Sequence, residues 1–287
     1  MVAVIYIVLT LVCLTMLYPV LNTVAISFNE GNDTARGGLT LLPRVFTLEN
    51  YRHIFKDSRL LGAFRISVMR TLIGTPISIL FTALFAYGVS REELKFRKGY
   101  MRFATVTMYV NAGFIPVYLL IKSLHLVDTF WVFVIPLAFN VWNMIIFRSF
   151  FINLPDGLLE AARIDGAGEY RTFMQIVLPV SKPVIASLTL FTAVTHWNSW
   201  FDGAIYITRP ALVPLQTLLR QIINSNTMAQ LMNQLGGAAA ESAAETMVTS
   251  RSLSAATMMV ATIPIMLVYP FLQKYFVSGI MLGSIKE

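Results

Sequence analysis

The side chains that most often do chemistry are few and scattered in this sequence. Its three histidines (His53, His125 and His196) lie far apart, and its one cysteine, Cys13, sits inside an apolar run. Metal centres and hydrolytic sites need such groups at short, defined spacings, and no HExxH, CxxC or GxSxG pattern occurs. No GxxxxGK[ST] loop occurs either, so the chain lacks that means of binding ATP. We therefore predict no catalytic residue, no metal site and no enzyme activity on this chain.

One short stretch, HWNSWFD at 196–202, has the side chains that sugars usually contact. Aromatic rings offer flat faces to the C–H surface of a sugar, and amides or carboxylates bond to its hydroxyls. Tryptophan at the end of an apolar run is also typical of the aromatic belt at a membrane surface, or of packing. Both interpretations stay open, and an asparagine in an earlier apolar run is treated in the same way. The candidate substrate-path residues are Asn143, Trp197, Asn198, Trp200 and Asp202.

These side chains would be positioned by long apolar runs. Only 13% of the residues are charged, against about 25% in soluble domains, and uncharged blocks of about nineteen residues or more can cross a bilayer as helices. We predict an all-α, polytopic membrane protein, a single transmembrane domain over residues 1–287. Its six spans are predicted at 2–28, 66–90, 103–121, 129–147, 183–201 and 252–273.

Three local features need interpretation. Residues 2–28 could be a signal peptide, but the apolar stretch is longer than the usual core of about 7–15 residues, which favours a retained span. Arg70, near the start of the second run, is expected to snorkel to the membrane surface as an anchor. Residues 46–55 are expected to form a short amphipathic helix, either at the membrane surface or within an ordinary loop.

The formal charge of +7 does not indicate nucleic-acid binding, because the basic residues lie between apolar blocks instead of along one face. Nor does the charge set the orientation in the membrane. Loops on the side of residues 91–102 hold eleven Lys and Arg, and loops on the other side hold ten. The rule that places basic loops in the cytoplasm therefore does not decide between the two orientations.

A polar segment of about thirty residues, 154–183, interrupts the apolar chain between the fourth and fifth runs. Pro155, with Asn153 or Asp156, can start a helix. Gly166 and Gly168 should end it, and a second helix should continue to the residues before a further proline. The pattern predicts a helix–turn–helix.

The surface of this segment suits a partner protein. Glu160 is expected to pair with Arg163 on the same helix face. Ala161 and Ala162 are expected to keep the surface low enough for another protein to approach closely. A single carboxylate would then set the register of docking.

The segment contains Glu160-Ala161-Ala162, three residues, Gly166, nine residues, and then Ile-Val-Leu-Pro at 176–179. This arrangement resembles the EAA loop of permease subunits in bacterial binding-protein-dependent type I ABC importers. Leu-Pro at 154–155 and Ile-Asp-Gly-Ala at 164–167 resemble the maltose-type, carbohydrate-uptake branch. The WNSWFD stretch and Pro-Leu-Gln at 214–216 resemble permeases for oligosaccharides released from polysaccharides, with alginate-like acidic saccharides as one candidate substrate.

The resemblance implies a permease that moves a carbohydrate across the bacterial cytoplasmic membrane by alternating access. It places segment 154–183, the 91–102 loop and both termini in the cytoplasm. It also implies a second homologous permease, two ATPase subunits that hold ATP and magnesium, an extracytoplasmic solute-binding protein and surrounding membrane lipid, with no cofactor on this chain. The ATPase-coupling residues would be Glu160, Ala161, Ala162, Asp165 and Gly166.

Other functions fit the sequence less well. An ion-coupled secondary transporter or channel would need acidic residues inside the membrane, and none lies in the six runs. A purely structural subunit would leave the EAA pattern without a role. The resemblance also implies that the external loop with the small-residue patch at 236–240 reaches toward the binding protein's cleft. The sequence does not identify the sugar, its contact residues, the pairing of the permease, or the role of the six basic residues in 29–65.

Overall fold

The computed structural model describes residues 2–38, 41–56, 58–110, 112–234, 251–267 and 270. These residues form helices and loops, with one isolated β-bridge between Asn29 and Phe46. Short 3-10 helices occupy Phe130–Phe133 and Pro210–Leu212, and a π-helical turn, Phe173–Val177, joins α9 to α10. The α-helices are α1 Val2–Ser27, α2 Gly31–Ala35, α3 Glu49–Lys56, α4 Ser58–Ser90, α5 Arg97–Tyr109, α6 Phe114–Ser123, α7 Val141–Ile152, α8 Asp156–Ile164, α9 Glu169–Thr172, α10 Leu178–Val180, α11 Lys182–Asn198, α12 Phe201–Tyr206, α13 Leu215–Gln234 and α14 Arg251–Leu267.

The chain divides into two compact units. The first comprises Met1–Arg65 and Val213–Met266, and the second Ile66–Leu212 and Leu267–Glu287. In the first unit, the buried side chain of Asn50 donates to the carbonyls of Ser27 (2.9 Å) and Asn29 (3.0 Å) and accepts from Ser252 (3.2 Å). These bonds connect α3 to the end of α1 and to α14.

The core of the second unit is apolar and aromatic. Helices α4, α7 and α8 and the π-helical turn all contribute to it, and most of the side chains are fully buried. Aromatic rings pack in stacked, tilted and edge-on pairs, which adds to the stabilisation from burial alone. The central members are Tyr87, Met144, Phe147, Phe151, Leu159, Phe173 and Val177.

Two helices, α1 and α4, are each long and apolar enough to cross a membrane. Two bent pairs, α5 with α6 and residues 169–180 with α11, could each form one broken span, which makes up to four among the described residues. Helices α7 and α14 are apolar but shorter. The all-helical architecture is as predicted, and the six-span count stays a prediction.

Two of the predicted spans are not continuous helices. Within 103–121, α5 ends at Tyr109 and α6 begins at Phe114, after Gly113 with a φ of 81°. Within 129–147, a single 3-10 turn is followed by Pro136, and α7 begins only at Val141. The side chain of Asn140 caps α7 by accepting from the backbone N–H of Asn143 at 2.9 Å. A glycine, a proline and a helix cap therefore interrupt two apolar runs that hydropathy alone predicts to be continuous helices.

Three further expectations can be compared with the structure. The short helix expected at 46–55 is α3, which buries Asn50 and Ile54. The second span was expected to begin near residue 66, but α4 begins at Ser58, so Arg70 lies well inside the helix. The patch at 236–240 and the end of the sixth predicted span lie outside the described residues.

Candidate functional site

The helix–turn–helix of segment 154–183 begins as the sequence predicts. Pro155 precedes α8 and Asp156 is its first residue, which places a carboxylate at the positive end of the helix. Asn153 does not cap α8, because its side-chain amide donates to the carbonyl of Ser149 in α7 at 2.6 Å. Asn153 therefore stabilises the end of one helix, and Pro155 starts the next.

Gly166 makes the turn. It has a φ of 73°, a left-handed conformation that costs other residues energy. Its N–H donates to the carbonyl of Arg163 (3.0 Å), and the N–H of Ala167 donates to that of Ala162 (2.9 Å). This pair of bonds is a Schellman motif, which satisfies the last carbonyls of α8. The glycine of the EAA pattern is thus required by backbone geometry.

Helix α8 has two distinct faces. Leu159 and Ala162 are buried, 7% and 4% exposed. Glu160, Ala161 and Asp165 are exposed. The prediction that Ala162 forms part of the open surface is wrong: its methyl group packs inward, on the same face as Leu159. The open surface of the motif is formed by Glu160, Ala161, Asp165 and Gly166.

Arg163 does not pair with Glu160 as predicted. Its Nη2 lies 2.6 Å from Glu93 Oε1 and 3.3 Å from Glu169 Oε1. Two carboxylates beyond α8 therefore hold the guanidinium. A hydrogen bond from its own backbone N–H and the bond to Arg163 hold the pKa of Glu93 below its usual value, and Glu93 raises the pKa of Arg163.

The same carboxylate reaches α4. The hydroxyl of Tyr87, in the last turn of α4, donates to Glu169 Oε2 at 2.5 Å. The guanidinium of Arg91 lies 4.8 Å from the centre of the Tyr87 ring. An open cleft of about 610 Å³ lies beside these groups. It is lined by Leu84, Tyr87, Gly88, Arg91, Glu93, Leu94, Arg163, Glu169 and Tyr170.

A second polar cluster surrounds Asp202, one of the candidate substrate-path residues. Both of its carboxylate oxygens accept from the guanidinium of Arg70, and Oδ1 also accepts from Ser199 Oγ at 3.0 Å. Arg70 is fully buried, donates to the carbonyl of Ser199 at 3.1 Å and stacks over Phe133 at 4.6 Å. The prediction that Arg70 snorkels to the membrane surface is therefore wrong. The carboxylate that pairs with it is partly buried, 15% exposed, and its further hydrogen bonds offset part of the cost of removing the two charges from water.

The other substrate-path candidates are placed differently from one another. The side-chain amide of Asn143 is buried and donates to Thr192 Oγ1 at 3.1 Å, which joins α7 to α11. Trp197 is buried, Trp200 is half-buried and Asn198 is exposed. Asn143, Trp197 and Asp202 are therefore engaged inside the protein, and Asn198 is left with an open surface.

The sequence contained a signal for the pairing of Arg70 with Asp202 that hydropathy alone did not use. A lone arginine inside one apolar run needs a counter-charge, and Asp202 is the carboxylate that directly follows another run. The contacts of Tyr87 and Glu93 gave no such signal, because Tyr87 lies in an apolar run and Glu93 in a polar loop, where neither residue type is unusual. Among the described residues, no group of three or more His, Cys, Asp or Glu side chains is arranged to hold a metal ion.

Comparison with known proteins places these features in a family. Residues 59–281 match the family model described as "Binding-protein-dependent transport system inner membrane component". The polygalacturonan/rhamnogalacturonan transport system permease protein YtcP of Bacillus subtilis (strain 168) is 38% identical over 97% of this chain and 95% of its own length. Protein LplC of the same organism is 36% identical over 93% of this chain and 88% of its own length.

A solved structure is similar over the whole fold. It is the crystal structure of a bacterial ABC transporter involved in the import of the acidic polysaccharide alginate. The matched chain has a TM-score of 0.85 and 27% identity, over 96% of this chain and 95% of that chain. The helices described above therefore form the fold of an ABC transporter permease.

Proposed function

Since the chain belongs to the family of binding-protein-dependent transport system inner membrane components, we propose that it is the permease subunit of an ATP-driven importer for carbohydrate. An oligosaccharide derived from a polysaccharide is the proposed substrate. The observation that carries this proposal is the two-faced α8, which packs inward through Leu159 and Ala162 and leaves Glu160, Ala161 and Asp165 exposed.

The relatives support the substrate class. The YtcP protein is named for polygalacturonan and rhamnogalacturonan, and the solved transporter imports the acidic polysaccharide alginate. The first relative is similar over nearly the whole chain, so the likeness includes both the helix–turn–helix and the region of Asp202. An acidic oligosaccharide is accordingly the first substrate to test.

The proposed assembly contains a second homologous permease, two ATPase subunits and an extracytoplasmic solute-binding protein. This chain would cross the cytoplasmic membrane six times with both termini and segment 154–183 in the cytoplasm. ATP and magnesium would bind to the ATPases, and no cofactor is needed on this chain. Helix α1, whose apolar side chains are almost all exposed in the isolated chain, fits a position facing lipid or the second permease.

In this mechanism the exposed face of α8 docks on the ATPase. ATP binding closes the ATPase pair and moves α8, and the packed inner face passes the movement to the spans. The cavity between the two permeases then opens outward to receive sugar from the docked binding protein, and hydrolysis returns it to the inward-facing state. Asn198 and Trp200 are the candidates that retain exposed surface for contact with the substrate.

Reconstitution of the complete complex in proteoliposomes tests the proposal. With ATP inside and binding protein outside, labelled oligogalacturonate or oligoalginate should accumulate. Glu160→Gln should lower uptake by about tenfold or more, because it removes the carboxylate that sets docking. The matched control is Glu92→Gln. Glu92 is 90% exposed and lies outside α8, in the 91–102 loop, with its carboxylate 3.6 Å from Arg97. No ATP-dependent uptake of any saccharide by the wild-type complex would refute the proposal.

A further inference from the structure

The position of α8 depends on more than its apolar packing. Only Leu159 and Ala162 of this nine-residue helix are buried. Two buried side chains set how closely α8 packs against the core, but they resist sliding or rotation of the helix poorly. The polar contacts around Arg163 supply that missing restraint.

Resting on the proposed function, we infer that Tyr87, Glu93, Arg163 and Glu169 form a linkage that makes α4 move with α8. Glu169 is its centre: one oxygen accepts from Tyr87 at 2.5 Å, and the other faces Arg163 at 3.3 Å. Arg163 also contacts Glu93 at 2.6 Å. The linkage thus connects the end of α8, the start of α9, the last turn of α4 and the turn after α4. These four are positioning residues, because they act through the docking face and not on the sugar.

The Tyr87 end of the linkage is rigid. Its ring is 5% exposed and packs against Phe173 at 5.3 Å and Phe151 at 6.4 Å. The guanidinium of Arg91 lies near the ring as well. A bond from a buried phenol to a carboxylate has few alternative geometries, so a displacement of Glu169 is passed to α4 with little slack.

The Arg163 end is open to solvent. The side chains of Arg163 and Glu93 are 46% and 60% exposed. Exposed ion pairs contribute little to folding stability, so stability alone does not explain four groups gathered at this position. These four groups instead fix the direction and the register of α8 relative to α4. Both must be fixed if a movement of α8 is to be transmitted to α4.

The test is the number of ATP molecules hydrolysed per sugar imported, measured on the complete reconstituted complex. Tyr87→Phe removes one hydroxyl and keeps the ring packing, and Arg163→Gln removes the charge. Each should raise the ATP-to-sugar ratio by a factor of about three or more, the range expected when coupling between sites is weakened. Arg163→Lys should restore most of the coupling, because it keeps the charge near both carboxylates.

Arg171→Gln is the matched control. Arg171 is an exposed arginine of the same helix–turn–helix, and its Nε donates to Gln175 at 2.9 Å within the local helix. Its substitution should leave the ratio unchanged. Co-purification of the ATPases and the thermal unfolding midpoint are measured for every variant, so that loss of assembly or folding is separated from loss of coupling.

The outcomes separate this inference from the function on which it rests. If the wild-type complex couples ATP hydrolysis to uptake and the ratio is unchanged in both Tyr87→Phe and Arg163→Gln, the linkage is refuted and the permease function stands. A lower unfolding midpoint with an unchanged ratio would also refute it, because the groups would then be structural only. If the wild-type complex shows no coupled uptake, the proposed function itself fails.

Discussion

At the scale of single residues, the fully buried Arg70 and the partly buried Asp202 form an ion pair within the second unit. Arg70 is on α4, and Asp202 follows α11 at the start of α12. Because Asp202 also accepts from Ser199 and from the backbone N–H of Gly203, the pair fixes the bend between α11 and α12. It thereby positions Asn198 and Trp200, the two substrate-path candidates with open surface.

Arg70→Met should destabilise the protein. The substitution leaves the Asp202 carboxylate, which is 15% exposed, without its counter-charge. The expected loss therefore lies below the roughly 3–5 kcal/mol that breaking a fully buried pair costs. The thermal unfolding midpoint of the purified complex is the measurement. The double variant Arg70→Met with Asp202→Leu removes both charges and should lose less stability than the single variant. Equal losses in the two variants would show that the pair does not carry this energy.

Gly74 is required for a different reason, the close approach of α11. A Cβ atom built on Gly74 would lie 2.6–3.0 Å from three ring atoms of His196. Gly74→Ala should therefore lower the unfolding midpoint, because the buried ring and helix must shift.

Gly62→Ala is the control, as Gly62 lies in the same helix with nothing within 4 Å of its Cβ position. It should be neutral or stabilising by up to about 1 kcal/mol, since alanine favours helix more than glycine. A Gly74→Ala variant as stable as Gly62→Ala would contradict the contact.

At the scale of elements, the helix–turn–helix was the part of the fold that the sequence predicted best. Its signals are local: a proline starts α8, and a glycine with positive φ ends it. The orientation of its faces was predicted less well, because the burial of Ala162 depends on tertiary packing that the spacing within one helix does not encode. The two partners of Arg163, Glu93 and Glu169, lie on two other segments, so helical spacing alone selected Glu160 instead.

The span ends show the same limit. Hydropathy found the apolar runs, but it placed the start of α4 at residue 66 because arginines precede it, whereas the helix begins at Ser58. It also missed the breaks at Gly113 and Asn140, which depend on backbone conformation and capping. The pairing of Arg70 with Asp202 spans 132 positions of sequence, and no local pattern encodes such a contact.

Gly166→Ala tests the turn between α8 and α9. Alanine in a left-handed conformation costs about 1–2 kcal/mol, so the end of α8 should fray and its amides should exchange faster with solvent. Gly168→Ala is the matched control, because Gly168 has an ordinary φ of −70° and open space at its Cβ position. Hydrogen exchange of residues 156–167 is the measurement. Equal exchange in the two variants would exclude a special role for the Gly166 conformation.

At the scale of the whole molecule, α4 connects the two polar clusters. Arg70 and Tyr87 are seventeen residues apart on this helix, which corresponds to roughly 25 Å along its axis. One cluster fixes α4 to the bend at Asp202, and the other fixes it to the helix–turn–helix through Glu169. The proposed transport cycle therefore has a physical route within one chain, from the docking face of α8 to the candidate substrate path.

The last prediction concerns the proposed orientation of the chain in the membrane, which cysteine labelling can test. Because the chain has one cysteine, a Cys13→Ser variant provides a background in which single cysteines can be placed. Arg36 and Lys98 are both exposed, and the topology with cytoplasmic termini puts them on opposite sides of the membrane. Arg36→Cys should react with a membrane-impermeant maleimide on cells stripped of their wall, because the proposed orientation puts residues 29–65 outside.

Lys98→Cys should react only after the membrane is permeabilised, since the proposed orientation puts the 91–102 loop, with Glu93, in the cytoplasm. Both side chains are exposed on the protein, so a position that fails to react is shielded by the membrane and not by burial in the protein. The opposite labelling pattern would place the helix–turn–helix outside the cell, where no ATPase could reach Glu160. Labelling of both positions from outside would contradict the proposed number of crossings between them, because α4 is the one predicted span that separates residues 36 and 98.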